Sequence, residues 1–360
     1  MTTLPAGIEL RPLHIPASID APDAADFREM VRLRNLVYAE ISGHDDGSMP
    51  ADELLPLYQP QPETKRFAWI GVRDGEVVGR AGLDLPQEDG ARTGNWLVEL
   101  RRSAWGLGIG RAALAEIERV ARAEGRTILQ SWAEHPAADG PRLEAPTGFG
   151  SIPRDHAARF FLASGCSLEQ IVRVSALPLA DARPHLERLL AEAEEAAVGY
   201  RVVQWTLPTP DEFVDGFAAM KARMVTDAPS ADLEFDEEVW DAARLRRYEA
   251  GYLDAGRHML VTAMQHVDTG ELAAFNELVI GKDRTTATSQ EDTLVVATHR
   301  GHRLGMLVKC AGLLAWHDIA PDSPRVITYN AEENRPMLSI NERIGFAATS
   351  YEGVWKKVLT

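Results

Sequence analysis

The same succession of structural signals runs through this chain twice, and that order limits the folds open to it. In the first pass an alternating run at 8–15 (IELRPLHI) predicts a strand, and apolar residues at three- and four-residue spacing over 23–41 predict a helix. Two strands flank the turn Asp74-Gly75 within 66–85. A strand at 95–105 leads into a glycine-opened helix over 106–126, then a strand at 127–134 and a short helix over 155–166 that stops at Gly165. The run 171–179 closes the half as a strand. The second pass has a strand at 200–207, long helices within 210–257 and a hairpin over 258–280 around Asp268-Thr269-Gly270. Strand, loop and helix over 291–317, the same again over 325–346, and a last strand at 350–359 complete it. At 360 residues, two domains are expected. The boundaries read as an N-terminal domain over 1–180, a charged helical connector over 181–197 and a C-terminal domain over 198–360. The class is α+β.

Composition removes several functions. No apolar run approaches the ~18 residues of a membrane span, and the N-terminus lacks a basic segment followed by an apolar one, so a cytoplasmic protein without membrane contact is expected. Two cysteines, Cys166 and Cys310, support neither a disulfide framework nor a metal site. The net charge of −16 argues against nucleic acid as a partner and favours approach of a cationic one. The plainer reading of that charge is solubility. Arginine outnumbers lysine 32 to 6, which reads as the coding bias of a GC-rich bacterium.

The segment that carries most chemistry is Arg300-Gly301-His302-Arg303-Leu304-Gly305, between a strand at 293–297 and a helix. A helix N-terminus offers unpaired N–H groups and about half a positive charge, which suits a phosphate. Glycine lets backbone approach the ligand closely, and Arg300, His302 and Arg303 add positive charge in an otherwise acidic chain. Trp105-Gly106-Leu107-Gly108-Ile109-Gly110 occupies the matching place in the first half. A dinucleotide site is the other reading of those glycines, but no acidic residue stands about 20 positions on at the end of the next strand.

These segments resemble motif A of the GNAT family of N-acetyltransferases, a strand followed by R/Q-x-x-G-x-G/A and a helix. EDTLVVATHRGHRLG is similar to the corresponding stretch of that family's diamine and polyamine acetyltransferases. Arg303 stands where the first motif glycine belongs, and Trp105 stands where arginine or glutamine is usual. Asn330, Asn334, Met337, Gly345 and Phe346 resemble motif B, with Asn341 and Phe161 at the position of the family's tyrosine acid. The resemblance implies two tandem GNAT domains, each a mixed, mostly antiparallel sheet with a splayed central strand pair flanked by helices. The two-domain arrangement, with an eroded first copy, also resembles mycothiol synthase, although the flanking sequence does not mark it as that enzyme. Acetyl-CoA is the implied cosubstrate, with no metal. Its contacts are implied at Leu294, Val295 and Val296, the loop Arg300, Gly301, His302, Arg303, Leu304 and Gly305, and Asn330 and Asn334. A second CoA site is implied at Gly106, Gly108 and Gly110.

An alkylamine with a pKa of ~10.4 is neutral about once in 2,500 molecules at pH 7, so transfer to it profits from a base. Glu291 is the leading base and Glu277 the reserve; Asn341 is the other candidate catalytic residue. Asp292, next on the strand, is expected on the opposite face from Glu291. Strand N–H groups at Leu294-Val295-Val296 are expected to polarise the thioester carbonyl, and no covalent intermediate is needed. The partner is then a small-molecule amine, with a cationic one favoured, met by a monomer or homodimer. In this family the segment 210–257 lines the acceptor site, and here it holds Asp227, Asp232, Glu234, Asp236, Glu237 and Glu238. Two other classes stay open: a non-catalytic CoA- or small-molecule-binding protein, and an aminoacyl transferase using aminoacyl-tRNA, which the acidic balance disfavours.

Overall fold

The computed structural model describes residues 7–227, 231–236 and 238–359. Two compact units emerge, and neither is a contiguous half of the chain. Unit 1 comprises 1–171, 230–236 and 350–360; unit 2 comprises 172–229 and 237–349.

In unit 1 the strands β1 (Ile8–Pro12), β2 (Thr64–Arg73), β3 (Glu76–Pro86) and β4 (Thr93–Leu100) form an antiparallel meander. The next strand, β5 (Ile128–His135), joins β4 in parallel. Helices α1 (Ala25–Ser42) and α2 (Ala51–Tyr58) join β1 to β2. Helix α3 (Ile109–Ala123) makes the parallel crossover from β4 to β5, and its apolar stripe Ala113, Leu114, Ile117, Val120 and Ala121 packs against Leu83, Leu85 and Leu129. A small hairpin, β6 (Arg142–Glu144) with β7 (Ser151–Pro153), precedes α4 (His156–Ala163).

Strand β8 (Ser167–Pro178), predicted to close the first half, instead supplies residues 172–178 to unit 2, where they pair with β13 (Arg325–Ala331). Reciprocally, residues 351–358 of the last strand, β14 (Ala347–Val358), pair with β5 in unit 1. The closing strands are exchanged. The expected connector is α5 (Arg183–Glu194), whose Leu186, Leu189 and Ala193 are buried in the core of unit 2. Unit 2 continues through β9 (Tyr200–Thr206), α6 (Asp211–Asp227), α7 (Ala242–Asp254), β10 (His258–His266), β11 (Leu272–Ile280) and β12 (Thr288–Val295). Helix α8 (Leu304–Ile319) crosses over to β13, which is parallel to β12, and α9 (Arg335–Ile344) follows. Every residue of β11 is buried, as its near-continuous apolar run requires of a strand covered on both faces. Among the described residues no helix is long and apolar enough to cross a membrane.

Candidate functional site

In unit 2 the parallel pair β12–β13 is joined only at Thr288↔Val326, Ser289↔Ile327 and Gln290↔Thr328. Beyond Gln290 the two strands part. Unit 1 repeats the geometry, with β4–β5 pairing confined to Thr93↔Ile128, Gly94↔Leu129 and Asn95↔Gln130. Strand N–H groups alternate between edges. The Val296 N–H donates to Ala273 O on β11 at 3.0 Å. Alternation therefore turns the N–H of Leu294 the same way and leaves the N–H of Val295 on the parted edge. Of the three residues expected to polarise a thioester carbonyl, the ladder leaves Val295 available. Leu294 and Val296 bury their side chains in the core.

Each parted strand runs into a short helical turn and then a helix whose first N–H groups lack partners. The earliest intrahelical bonds come from Leu307 to Arg303 O and from Ala112 to Gly108 O, and neither N-terminus has a side-chain cap. Arg303 takes the left-handed conformation (φ 55°) that Gly108 takes in unit 1 (φ 84°). Its side chain leads away from the loop, and Nη1 donates to Glu192 O at 3.2 Å. The 300–305 loop is thus not crowded by the arginine that stands in place of the motif glycine. Arg300 Nε donates to Val295 O at 3.2 Å, and Trp105 Nε1 donates to Leu100 O at 3.1 Å in the matching place. Trp105 reproduces the tie between loop and strand without the charge, while its ring stacks on His156 at 4.1 Å. His299 and His302 gather around Tyr200, whose hydroxyl lies 2.9 Å from His299 Nδ1.

The two units differ at one decisive point. Strand β4 pairs with β3 in unbroken register, whereas β12 carries an extra residue between Gln290 and Thr293, opposite Glu277. This bulge cancels the alternation expected for Glu291 and Asp292. Asp292 lies beside Glu277 on a common partner: Lys221 Nζ, on α6, donates to Asp292 at 2.6 Å and to Glu277 at 3.1 and 3.2 Å. Lys221 also reaches the Tyr248 hydroxyl at 3.3 Å, and that hydroxyl is 3.5 Å from the Tyr252 hydroxyl. Glu291, exposed at its surface, couples electrostatically to Tyr252, Arg257 and Lys221.

Charge follows this arrangement. Burial raises the Glu277 carboxyl to about 7 against the pull of Lys221. Burial disfavours the Lys221 ammonium, yet Glu277 and Asp292 outweigh it and hold its pKa above the ordinary lysine value. One cation serves two carboxylates, and Asp292 holds it at the shorter distance. Lys221 therefore offsets the burial of Glu277 only in part, and the Glu277 carboxyl stays above the ordinary glutamate value. Surrounding protein raises Glu291 above the usual carboxylate range, with Arg257 opposing. Lys221, Tyr248, Tyr252 and Arg257 were not singled out by the sequence reading. The i,i+4 tyrosines of α7 were the available signal, but nothing in sequence announces that a lysine 56 positions before Glu277 meets it.

Asn341 is buried and donates from Nδ2 to Asn330 Oδ1 at 2.7 Å, tying α9 to the parted end of β13. Asn334 caps α9 through Met337 N–H, so its side-chain oxygen already has a role. The acids of 231–236 do not line unit 2. Asp236 accepts from Thr93 Oγ1 at 2.6 Å, Glu234 pairs with Arg92 at 2.6 Å, and Asp232 meets Lys356, all within unit 1. Glu238 pairs with Arg244 in unit 2. Glu237 and the Asp227 side chain lie outside the described residues.

Two parted parallel strand pairs, each feeding an uncapped helix N-terminus through a tight loop, define the acetyltransferase architecture of the GNAT type, here in duplicate. The comparisons agree. Residues 32–139 match the acetyltransferase (GNAT) family model. A tandem GNAT protein from the clavulanic acid biosynthesis pathway superposes with a TM-score of 0.72 at 26% identity, covering 98% of each chain. A GCN5-related N-acetyltransferase from Sphaerobacter thermophilus shares the fold with a TM-score of 0.63 at 15% identity over 99% of this chain and 97% of its own. An acetyltransferase-like protein from Pyrococcus horikoshii does so with a TM-score of 0.52 at 11% identity over 100% and 92%. No curated protein sequence matches. Over its whole length this chain is similar to a tandem GNAT protein, and the match to the GNAT family model falls on the half that keeps all three loop glycines.

Proposed function

We propose that the chain is an acetyl-CoA-dependent N-acetyltransferase acting on a small-molecule amine, with transfer at unit 2. The observation that carries this reading is the bulge in β12. It gathers Glu291, Asp292 and Glu277 just before the parted edge where Val295 N–H is available and the 300–305 loop begins. Unit 1 has the parted strands and the glycine loop but an unbroken β4.

In this reading the helix N-terminus at Leu304–Met306 and Arg300 hold the pyrophosphate. Val295 N–H meets the thioester oxygen and stabilises the charge that develops on it. Glu291 takes one proton from the bound ammonium, directly or through water, leaving the neutral amine that attacks, and its raised pKa improves the match to an amine. The amine nitrogen forms the new bond to the acyl carbon, the carbon–sulfur bond breaks, and the second proton shed by that nitrogen leaves with the sulfur as CoA thiol. Asn341 stands where the family places a phenolic acid and positions Asn330 instead. Release of CoA thiol from acetyl-CoA, measured across an amine panel, tests the proposal. Turnover with at least one amine supports it; binding of acetyl-CoA with no turnover on any amine favours a non-catalytic CoA-binding protein.

A further inference from the structure

Unit 1 contains a cavity of ≈ 320 Å³ over the face of β4 that carries Asn95, Leu97 and Glu99. Tyr38, Tyr58, Phe67 and Trp132 stand among its aromatic walls. Both cations at the wall are already engaged. Arg66 forms a two-pronged pair with Asp84 at 2.7 and 2.8 Å, and Arg80 forms one with Glu99 at 2.6 and 2.9 Å. Arg80 also donates to the Tyr58 and Tyr38 hydroxyls.

A third carboxylate at the wall, Glu352 on β14, has no such partner. Its register neighbour on β5 is Glu134, and like charges opposite one another across a strand pair oppose pairing. Among the described residues neither side-chain carboxylate has a hydrogen bond or an ion pair. Burial and Glu134 together push Glu352 up to about 7. Unit 2 supplies an internal control. Counting from the matched pairs Thr93↔Ile128 and Thr288↔Val326, the counterpart of Glu134 is Glu332. There Arg173 neutralises the carboxylate at 2.8 and 2.9 Å. One fold position is charge-balanced in unit 2 and doubly acidic in unit 1.

We infer that unit 1 binds a small organic cation, an alkylammonium or alkylguanidinium, in this cavity, with Glu352 and Glu134 as its charge partners and Trp132 and Tyr58 against its carbon chain. Aromatic faces attract such cations, and a carboxylate pair lacking a protein cation supplies the charge. The inference does not depend on which unit performs transfer.

Isothermal titration of the full chain without acetyl-CoA tests it, using agmatine and n-butylamine as probes and n-butanol as the uncharged control. The expected result is saturable binding of the amines, no binding of butanol, and at least tenfold weaker binding in Glu134→Gln/Glu352→Gln and in Trp132→Ala. The titrations are repeated in Glu291→Gln, which alters the acceptor site of unit 2; the saturable binding that Glu134→Gln/Glu352→Gln weakens should persist there. Removing the like-charge pair should also raise Tm, so the double variant is not expected to fail by unfolding. Amine binding unchanged in the double variant, or lost only in Glu291→Gln, overturns the inference.

Discussion

At the scale of single residues, one carboxylate and one buried lysine make opposite demands. Glu291 gains its interest from the bulge that seats it beside Asp292 and Glu277. Glu291→Gln is expected to lower kcat/KM about 100- to 10,000-fold at pH 7, the usual range for general-base assistance, while acetyl-CoA affinity is retained. Near pH 9 to 10 the defect should shrink, because more amine arrives neutral. Normal turnover across that range would move the role to Glu277. Lys309, on α8, is fully buried, and its Nζ has no hydrogen-bond partner among the described residues. Burial lowers its pKa to about 7. Between about 7 and 10.5 the unfolded chain binds this proton and the folded one does not, so stability rises with pH through that window. At neutral pH the cost is on the order of 5 kcal/mol, from ~1.4 kcal/mol per pKa unit. Lys309→Met should therefore raise Tm at pH 7 and flatten its rise toward pH 9; thermal melts at both values check this. Glu291 was legible as a candidate in the sequence. The burial of Lys309 was not, because one lysine in an apolar helix usually finds a way to solvent.

At the scale of elements, the two strand–loop–helix units test which features a phosphate loop needs. The loop glycine Gly108 adopts φ 84°, and a side chain there would meet nothing within 4 Å. Gly108→Ala should thus cost only the left-handed backbone penalty, about 1 kcal/mol, as Arg303 already tolerates in unit 2. Arg300→Glu is expected to abolish turnover and leave Tm nearly unchanged, since Arg300 is exposed and an anion would stand beside the pyrophosphate. If instead Gly108→Ala stops turnover and Arg300→Glu does not, unit 1 is the transferring copy. Asn341→Ala, assayed alongside, should cost a few-fold in rate through the freed Asn330.

At the scale of the whole molecule, exchange of the closing strands makes each half depend on the other. Residues 1–197 lack the strand that pairs with β5, and residues 198–360 lack the strand that pairs with β13. Expressed separately, neither segment should unfold cooperatively; co-expression should restore a cooperative transition. Two independently folding segments would show the exchange to be dispensable. In the intact chain acetyl-CoA should raise Tm by ligand linkage, about 2.7 kcal/mol of stabilisation at a hundredfold excess over Kd. NAD and ATP should do far less, and no shift with millimolar acetyl-CoA would sink the cofactor assignment.

The sequence by itself determined most of the elements and their order, because hydrophobic period, turn residues and helix stops are local signals, while the short α2 and the β6–β7 pair were not legible in it. It also marked the two strand–loop–helix segments with uncapped helix starts, which rest on neighbouring residues alone. Tertiary structure decided what depends on distant pairing. A one-residue register shift against β11 set the faces of Glu291 and Asp292. The packing of α6 brought Lys221 to them. The acids of 231–236, which read as an acceptor lining, pair with Arg92, Thr93 and Lys356. A strand's apolar alternation names the face it buries but not the partner it joins, so β8 and β14 could be placed as strands from sequence and assigned to their units only by the fold.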